Sequence, residues 1–294
     1  MGYCPHMTQP RPPGTLHLVA TPIGNLEDVT LRALRVLREA AVIAAEDTRT
    51  AAKLCARHGI TTPLRSLHEH NEAARAEAIV ARLRAGESVA LVTDAGTPGI
   101  SDPGARLVRA VADAGLRVEA VPGPCALVAA AACSGLPADR FVFEGFLPAR
   151  PAERRRAIEA LRAETRTLVF YEAPHRVIAT LRDLADLLGP REAAVARELT
   201  KIHEEVLRGT LPGLAETLDG RGEPKGEFVL VVAGGEPGAD RPPVGDDELR
   251  EALAKALATG ASRRDAVAEV AAAFDAPRNR VYRLALEIGR GRDG

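Results

Sequence analysis

A loop rich in glycine and proline follows a short apolar run in the first half of the chain, and its residue types suit it to hold a ligand. The run Val89–Val92 predicts a buried strand, and residues 94–104 after it read Asp-Ala-Gly-Thr-Pro-Gly-Ile-Ser-Asp-Pro-Gly. Because glycine has no side chain, its backbone can approach a ligand closely. We expect Asp102 to cap the helix that follows and Pro103 to occupy its first turn. The alternative is an ordinary βα connection, although such connections usually run only about 2–6 residues.

Two further loops of the same kind follow other predicted strands. Pro22 and Gly24 follow the strand predicted at residues 15–20, and Pro122 and Gly123 follow the one at residues 117–121. In an open α/β sheet, ligands bind beyond the carboxyl ends of the strands, where exposed amides and carbonyls suit an adenosine edge and an amino-acid tail. The first strand lacks a G-x-G-x-x-G fingerprint, and the chain has no G-x-x-x-x-G-K-[ST] loop. Ordinary Rossmann cofactors and P-loop nucleotides are therefore disfavoured.

Strands and helices alternate along the first half of the chain, which predicts a mostly parallel sheet. The first predicted helix carries leucines at helical spacing, at Leu31, Leu34 and Leu37. We expect an N-terminal α/β domain at residues 15–137, a second α/β domain at 138–235, a linker at 236–245 and a C-terminal helical domain at 246–294. Residues 1–14 have no apolar run typical of a signal peptide and are expected to be disordered.

The C-terminal residues predict two helices around a tight turn, similar to a helix-turn-helix. Ser262 and Asp265 form a capping box at the start of the first helix, although the acid is Asp instead of Glu. Apolar stripes run along both helices, at Val267, Val270, Ala271 and Phe274 and at Val281, Leu284 and Ile288. Three arginines lie on the second helix, at Arg278, Arg280 and Arg283. Contact with nucleic acid and simple packing on a partner remain equal alternatives for this hairpin.

Composition narrows the class of protein. With 46% hydrophobic residues the chain can bury a large core, and no run reaches the roughly 18 apolar residues of a membrane helix. The formal net charge of −1 creates no global field that would attract nucleic acid. Four cysteines with scattered spacing form neither a disulfide framework nor a C-x-x-C metal site, which fits a cytoplasmic enzyme. Only four of the 39 basic residues are lysines, so a retained lysine is more informative than an arginine.

Several motifs resemble those of the tetrapyrrole-methylase superfamily. Residues 94–98 and 101–104 are similar to its signature, and the most similar branch 2'-O-methylates ribosomal RNA. Other motifs follow in family order between Leu16 and Ile288: Thr21–Leu26, Glu46–Arg49, Leu67–Asn71, Gly145–Pro148, Tyr171–Arg176, Arg197–Lys201 and Lys225–Glu227. Several matches in order are far more specific than any single one.

The resemblance implies an α/β fold class: two α/β domains of tetrapyrrole-methylase type with a cleft for S-adenosylmethionine (SAM) between them, plus a small C-terminal helical domain. It implies 2'-O-methylation of the ribose of a cytidine, cytidine 1402, in 16S rRNA. The implied partner is the small ribosomal subunit, and the implied state is a cytoplasmic homodimer. No DNA, membrane or metal is expected. The alternatives are a methylase of a tetrapyrrole or other small acceptor, and a non-enzymatic, ligand-sensing regulator that binds DNA through the tail.

By likeness to the family, the SAM contacts fall on the loops named above and on the second α/β domain. They are Pro22, Gly24, Asp94, Ala95, Gly96, Thr97, Pro98, Ile100, Ser101, Cys125, Ala126, Tyr171, Glu172 and Gly226. Cys125 departs from the family, which usually has Ser after Pro-Gly-Pro. Because a thiol is a weaker donor than a hydroxyl, a side-chain hydrogen bond at Cys125 is in doubt, while a backbone one is not.

Methyl transfer to a ribose hydroxyl requires alignment of the reactants and help in removing the hydroxyl proton. Asp47 is the first candidate for the base, and its alternative role is the N-cap of the next helix. Lys201 is the second candidate catalytic residue, and its alternative is a solvated strand end. Contacts with the RNA substrate are expected at Arg49, His175, Arg176 and Glu205. Arg176 could instead pair with Glu172, four residues earlier, if both are helical.

Two polar clusters favour plainer interpretations. His68 and His70 share a strand face and suggest a metal site, but two ligands without a third favour a local polar network. The arginines of residues 154–156 lie on a predicted basic helix that either contacts phosphates or is a solvated face. Since arginine is used for nearly all positive charge in this chain, the solvated face is favoured.

Overall fold

The computed structural model describes residues 12–68, 72–236, 245–259, 261–274, 276 and 278–290. These residues divide into two compact units, one up to residue 159 together with 166–234, and one of residues 160–165 together with those from 235 onward. Most of the predicted N-terminal disorder and of the linker therefore lies outside the described residues, as do His70 and Asn71. Among the described residues, no helix has the length and apolarity needed to cross a membrane.

The first half of the larger unit is a sheet of five parallel strands in the order β3-β2-β4-β1-β5. The strands are β1 Thr15–Val19, β2 Val42–Ala45, β3 Leu64–Ser66, β4 Val89–Val92 and β5 Arg117–Val121. The helices of this half are α1 Leu31–Glu39, α2 Thr48–Arg57, α3 Glu72–Arg84, α4 Ala105–Asp113 and α5 Ala126–Ser134, with a 3-10 turn at Leu26–Asp28. All residues of β2 and β4 are buried, as expected for parallel strands covered on both faces. The predicted parallel sheet is confirmed, and β3 is an additional short edge strand.

Helix α1 is confirmed, and Leu37 is buried in it with Ala33 and Val36, while Leu31 is 87% exposed at its first position. The expectation for the cap of α4 is wrong. The N-cap of α4 is Gly104, at φ 129°, which has no side chain to cap the helix. The carboxylate of Glu72 accepts from Leu107 N at 2.8 Å in the first turn instead. Asp102 is therefore not the predicted cap, because the loop continues for two more residues before the helix begins.

The second half of the larger unit contains a mixed sheet in the order β6-β7-β10-β8-β9. Its strands are β6 Phe141–Phe146, β7 Thr167–Glu172, β8 Glu192–Arg197, β9 Glu205–Thr210 and β10 Phe228–Val232, and its helices are α6 Pro151–Ala160, α7 Val177–Leu188 and α8 Leu211–Asp219. Only β6 and β7 run parallel, while β7, β10, β8 and β9 pair antiparallel. Helix α8 was not predicted. One core joins the halves, since Ile23 and Leu127 pack with residues of β7, β8 and β10.

Two of the three arginines of α6 form ion pairs with α7, whereas Arg156 is exposed. Arg154 is 6% exposed and donates through Nε to Asp183 of α7 at 2.7 Å. Arg155 bonds the same carboxylate at 2.5 Å and Asp186 at 3.2 Å. Two of the three arginines are therefore used to pack α6 against α7, and the expectation of a solvated face is wrong for them.

The smaller unit contains three helices, α9 Asp246–Ala258, α10 Arg263–Ala273 and α11 Arg278–Arg290. Its core includes the predicted stripes of α10 and α11, to which α9 adds Leu249 and Leu253. Ser262 caps α10 as predicted, with its Oγ accepting from Asp265 N at 3.2 Å, and the same hydroxyl donates to the Asp265 carboxylate at 2.6 Å. Arg280 pairs with Asp246 at 2.6 Å, so this predicted surface arginine joins α11 to α9.

Candidate functional site

The three predicted ligand loops meet at the carboxyl ends of β1, β4 and β5. Thr21 and Gly96 exchange two backbone hydrogen bonds, at 2.8 and 3.0 Å, which join the first loop to the second. Thr97 Oγ1 donates to the carbonyl of Pro124 at 3.2 Å, which joins the second to the third. Gly96 has φ +79°, a conformation that L side chains rarely adopt, so this turn depends on glycine.

A cavity of about 370 Å³ lies between these loops and the second sheet. Many of the predicted cofactor residues line it: Ala95, Gly96, Thr97, Ile100, Ser101, Cys125, Ala126, Tyr171 and Glu172. Pro22, Gly24, Asp94, Pro98 and Gly226 are not among the described residues that line it. A Cβ on Gly24 would come within 2.5 Å of Lys201 Cγ, so the absence of a side chain here permits close packing between the two halves.

Tyr171 forms the part of the cavity wall that links the two halves. Its hydroxyl accepts a hydrogen bond from Leu127 N at 3.2 Å, across from β7 to α5. Burial, followed by the neighbouring Cys125, raises the pKa of the Tyr171 hydroxyl, which is therefore neutral near pH 7. Cys125 is the N-cap residue of α5, and its thiol makes no cap hydrogen bond with this helix.

Asp102, which the sequence predicted as a helix cap, lines the cavity. Burial raises the pKa of its carboxyl to about 6, and repulsion from Glu46 acts in the same direction. A hydrogen bond with Thr93 and repulsion from Asp94 act in opposite directions on that pKa. Its place in the signature loop, residues 101–104, is the sequence signal that could have indicated it. Apolar lining residues that the sequence argument missed include Ile23, Phe146, Leu199, Phe228 and Val229.

Lys201 lies behind the cavity wall, between two carboxylates. Its Nζ is 2.9 Å from Glu198 Oε1 and 2.9 Å from Glu227 Oε2, and Glu227 lines the cavity. Burial opposes the charge of the ammonium, but these two hydrogen bonds outweigh it and raise the pKa of Lys201. Thr200, at φ 68°, accepts through Oγ1 from Asn25 N at 3.0 Å. Lys201 is therefore held by one carboxylate three residues earlier in the chain and by one 26 residues later, and it does not lie at a solvated strand end.

Asp47 is the N-cap of α2, so its alternative role is confirmed. Its Oδ1 accepts from Arg49 N at 2.8 Å, and both carboxylate oxygens accept from Arg49 Nε at 3.0 Å. These bonds lower the pKa of Asp47 to about 2. Arg49 keeps an 88% exposed side chain while it is paired. Asp47 is not among the described residues that line the cavity.

The other predicted substrate residues differ in how much of each side chain is available. Arg176 pairs with Glu172, at 3.0 Å from Nε to Oε1, and donates to the carbonyl of Leu147 at 2.6 Å. This alternative pairing is present although Glu172 ends a strand and Arg176 is a helix N-cap. Glu205 accepts from Arg221 at 2.7 Å, and His175 is exposed. Among the described residues, no group of three His, Cys, Asp or Glu side chains forms a metal site.

The larger unit has two α/β halves and a cavity beyond the carboxyl ends of the first sheet. Known protein families and solved structures share this architecture. Residues 15–215 match the family model of Tetrapyrrole (Corrin/Porphyrin) Methylases, and residues 243–289 match that of the RsmI C-terminal HTH domain. Uroporphyrin-III-C-methyltransferase from Thermus thermophilus superposes with a TM-score of 0.53 at 25% identity, covering 74% of this chain and 94% of its own.

Relatives with higher sequence identity indicate which branch of the family the chain belongs to. Ribosomal RNA small subunit methyltransferase I of Synechocystis sp. is 49% identical over 276 residues, covering 94% of this chain and 98% of the relative. The protein of the same name in Xylella fastidiosa is 57% identical over 224 residues, covering 76% of this chain and 82% of the relative. The chain belongs to the ribosomal RNA small subunit methyltransferase I family of tetrapyrrole methylases, and it is a methyltransferase.

Proposed function

We propose that this protein transfers a methyl group from SAM to the ribose 2'-hydroxyl of a cytidine in 16S rRNA of the small ribosomal subunit, by resemblance cytidine 1402. The observation that carries the proposal is the cavity at the meeting point of the three loops, in a chain whose relatives are named as methyltransferases of small-subunit rRNA. Action as a cytoplasmic homodimer, without DNA, is part of the proposal.

The cavity has a suitable size for SAM, and its lining residues have a suitable polarity and charge. A volume of about 370 Å³ falls within the roughly 300–1,000 Å³ of small-ligand sites. Ile23, Leu199 and Val229 offer an apolar wall, and the glycine turn at Gly96 leaves backbone groups accessible. SAM carries a cationic sulfonium and an ammonium group, and Asp102 provides a carboxylate in the wall. We infer that Asp102 stabilises the bound cation.

SAM supplies a methyl group that is already activated by its sulfonium, so the protein mainly has to orient the acceptor and receive its proton. Two carboxylates are candidates for the proton acceptor. Asp47 is held by Arg49 with a pKa of about 2, which makes it a weak base, and its role remains the prediction drawn from the family. Asp102, with a pKa of about 6, is better matched to proton transfer near pH 7.

The remaining site residues fall into two groups by their contacts. Arg49 and His175 have exposed side chains and are available to the phosphates of an RNA strand. Arg176 and Glu205 are engaged in ion pairs with Glu172 and Arg221, which favours a role in supporting the site. Lys201 orients Glu227 in the cavity wall, and its contact with the reacting hydroxyl remains a proposal.

Methylation of defined acceptors by the purified protein tests this function. Labelled SAM is incubated with naked 16S rRNA, with assembled small subunits and with a tetrapyrrole, and the labelled RNA is digested to nucleosides. We expect label in 2'-O-methylcytidine from one of the two RNA substrates and none in the tetrapyrrole. Label on a base or only on the tetrapyrrole would contradict the proposal. Sedimentation at the assay concentration tests the homodimer.

A further inference from the structure

An exposed aromatic ring stands at the mouth of the cavity. Phe146, the last residue of β6, is 57% exposed and lines the cavity. The chain contains six phenylalanines, three tyrosines and no tryptophan, so an exposed aromatic ring here is not a consequence of an aromatic-rich surface. By contrast, Leu199 and Phe228, which also line the cavity, are 9% and 2% exposed.

The backbone of β6 is shaped to hold this ring in place. The register with β7 shifts between Phe143 and Gly145, and Gly145 has φ +64°. A register shift at this point changes the direction of the side chains that follow it. A Cβ on Gly145 would lie 3.1 Å from Ser101 Oγ, so this part of β6 also approaches the loop after β4. The Phe146 ring rests against Tyr171, with 5.6 Å between the ring centroids, and the rest of the ring faces outward.

We propose that Phe146 is the platform on which a base of the acceptor RNA stacks while its ribose hydroxyl reaches the cavity. This inference rests on the proposed function and specifies how that substrate is held. Sequence-specific recognition of RNA commonly stacks unpaired bases on aromatic side chains. With a net charge of −1, the protein has no global attraction for RNA, so local contacts of this kind have to supply affinity.

The other base available is the adenine of SAM, and the exposure of the ring argues against it. A cofactor enclosed in the cavity meets the inner wall, whereas a half-exposed ring at the mouth meets the reactant that enters from solvent. The two sources of the base are distinguished by which compound changes the signal in the following experiment.

Phe146→Trp introduces the only tryptophan of the chain and so a fluorophore at the mouth. We expect quenching of this indole when a single-stranded oligoribonucleotide with the sequence around the target cytidine is added, and little change with SAM alone. Phe141→Trp is the matched control, because Phe141 begins the same strand, is 36% exposed and is not among the described residues that line the cavity. Quenching by SAM alone, or equal quenching of both variants by RNA, would overturn the inference.

Phe146→Ala provides the kinetic test. Loss of one base–aromatic stack is expected to raise the KM for RNA roughly 5- to 100-fold, with the affinity for SAM unchanged in calorimetric titration. Phe146→Tyr should restore most of the loss. If the wild-type protein methylates no RNA, the proposed function fails, and the fluorescence titration still decides the stacking. If the wild-type protein methylates RNA and Phe146→Ala matches it, the stacking inference alone is wrong.

Discussion

At the scale of single residues, the buried carboxyl of Asp102 lowers the stability of the fold, and we propose that it also binds the cation of SAM. Its carboxyl has a pKa of about 6 because it is buried and lies near Glu46. In the unfolded chain an Asp titrates near 4. The folded state therefore holds this proton more tightly than the unfolded state. Ionising Asp102 therefore lowers the free energy of unfolding. This loss is absent below about pH 4, grows as the pH rises towards about 6 and stays constant above it.

Asp102→Asn removes this cost, so we expect the variant to melt above the wild type at pH 7 and to match it near pH 4. The same change should weaken SAM binding roughly tenfold, because the carboxylate that balances the cation is lost. Melting without SAM between about pH 4 and 8, followed by calorimetric titration, measures both effects. Asp113→Asn, at an exposed position of α4, is the control and should show neither. An unchanged SAM affinity would remove Asp102 from the binding site.

Lys201 offers a second test at this scale, because the chain uses arginine almost everywhere else. The ammonium fits between Glu198 and Glu227, and a Cβ on Gly24 would nearly touch its stem. Arginine is larger and planar, and it cannot act as a compact charge in this space. We expect Lys201→Arg to lower single-turnover methylation roughly tenfold or more, with SAM affinity little altered. A parallel loss of SAM affinity would mean that Lys201 acts only by orienting Glu227. A wild-type rate would exclude both this positioning role and a contact with the reacting hydroxyl.

At the scale of elements, the packing of α6 on α7 depends on a buried ion pair. The side chains of Arg154 and Asp183 are 7% and 13% exposed. Asp183→Asn would leave a buried guanidinium without its counter-charge, which we expect to lower the free energy of unfolding by about 3 kcal/mol in urea. The control is Arg109→Ala, which breaks the exposed pair with Asp113 on α4 and should cost less than about 0.5 kcal/mol. Equal effects would show that burial does not set the strength of the α6–α7 pair.

At the scale of the whole molecule, the three-helix unit has a core of its own, made from residues of α9, α10 and α11. An open groove between α10 and α11 is lined by three arginines, Arg263, Arg264 and Arg278, together with Tyr282. We infer that this unit adds affinity for RNA without contributing to the cavity, because every described residue that lines the cavity belongs to the larger unit.

Truncation after Gly235 tests this division of roles. We expect the shortened protein to bind SAM with wild-type affinity and to methylate RNA poorly at low RNA concentration, because the arginine groove is lost. The rate should recover at high RNA concentration if the chemistry is intact. A truncated protein that works at the full rate at low RNA concentration would exclude the tail from substrate recognition. Lost SAM binding would instead show that the larger unit needs the tail to fold.

The features that the sequence determined by itself are local. Most strands and helices, the Asp47 cap and the Ser262 cap follow from periodicity and from side chains within a few residues of each other. The three ligand loops were predictable because the carboxyl ends of parallel strands share one edge of a sheet. Family motifs then pointed to many of the residues that line the cavity, including Gly96 and Tyr171.

Only the tertiary structure decided which distant groups become partners. Nothing local to Lys201 specifies Glu227, and nothing local to Arg154 specifies Asp183, because these carboxylates arrive on other elements of the fold. The order of the second sheet and the turn of Phe146 towards the cavity likewise depend on how strands pair across the chain. The neighbours of Asp102 along the chain predict a helix cap. Its burial and its nearness to Glu46 exist only in the folded protein.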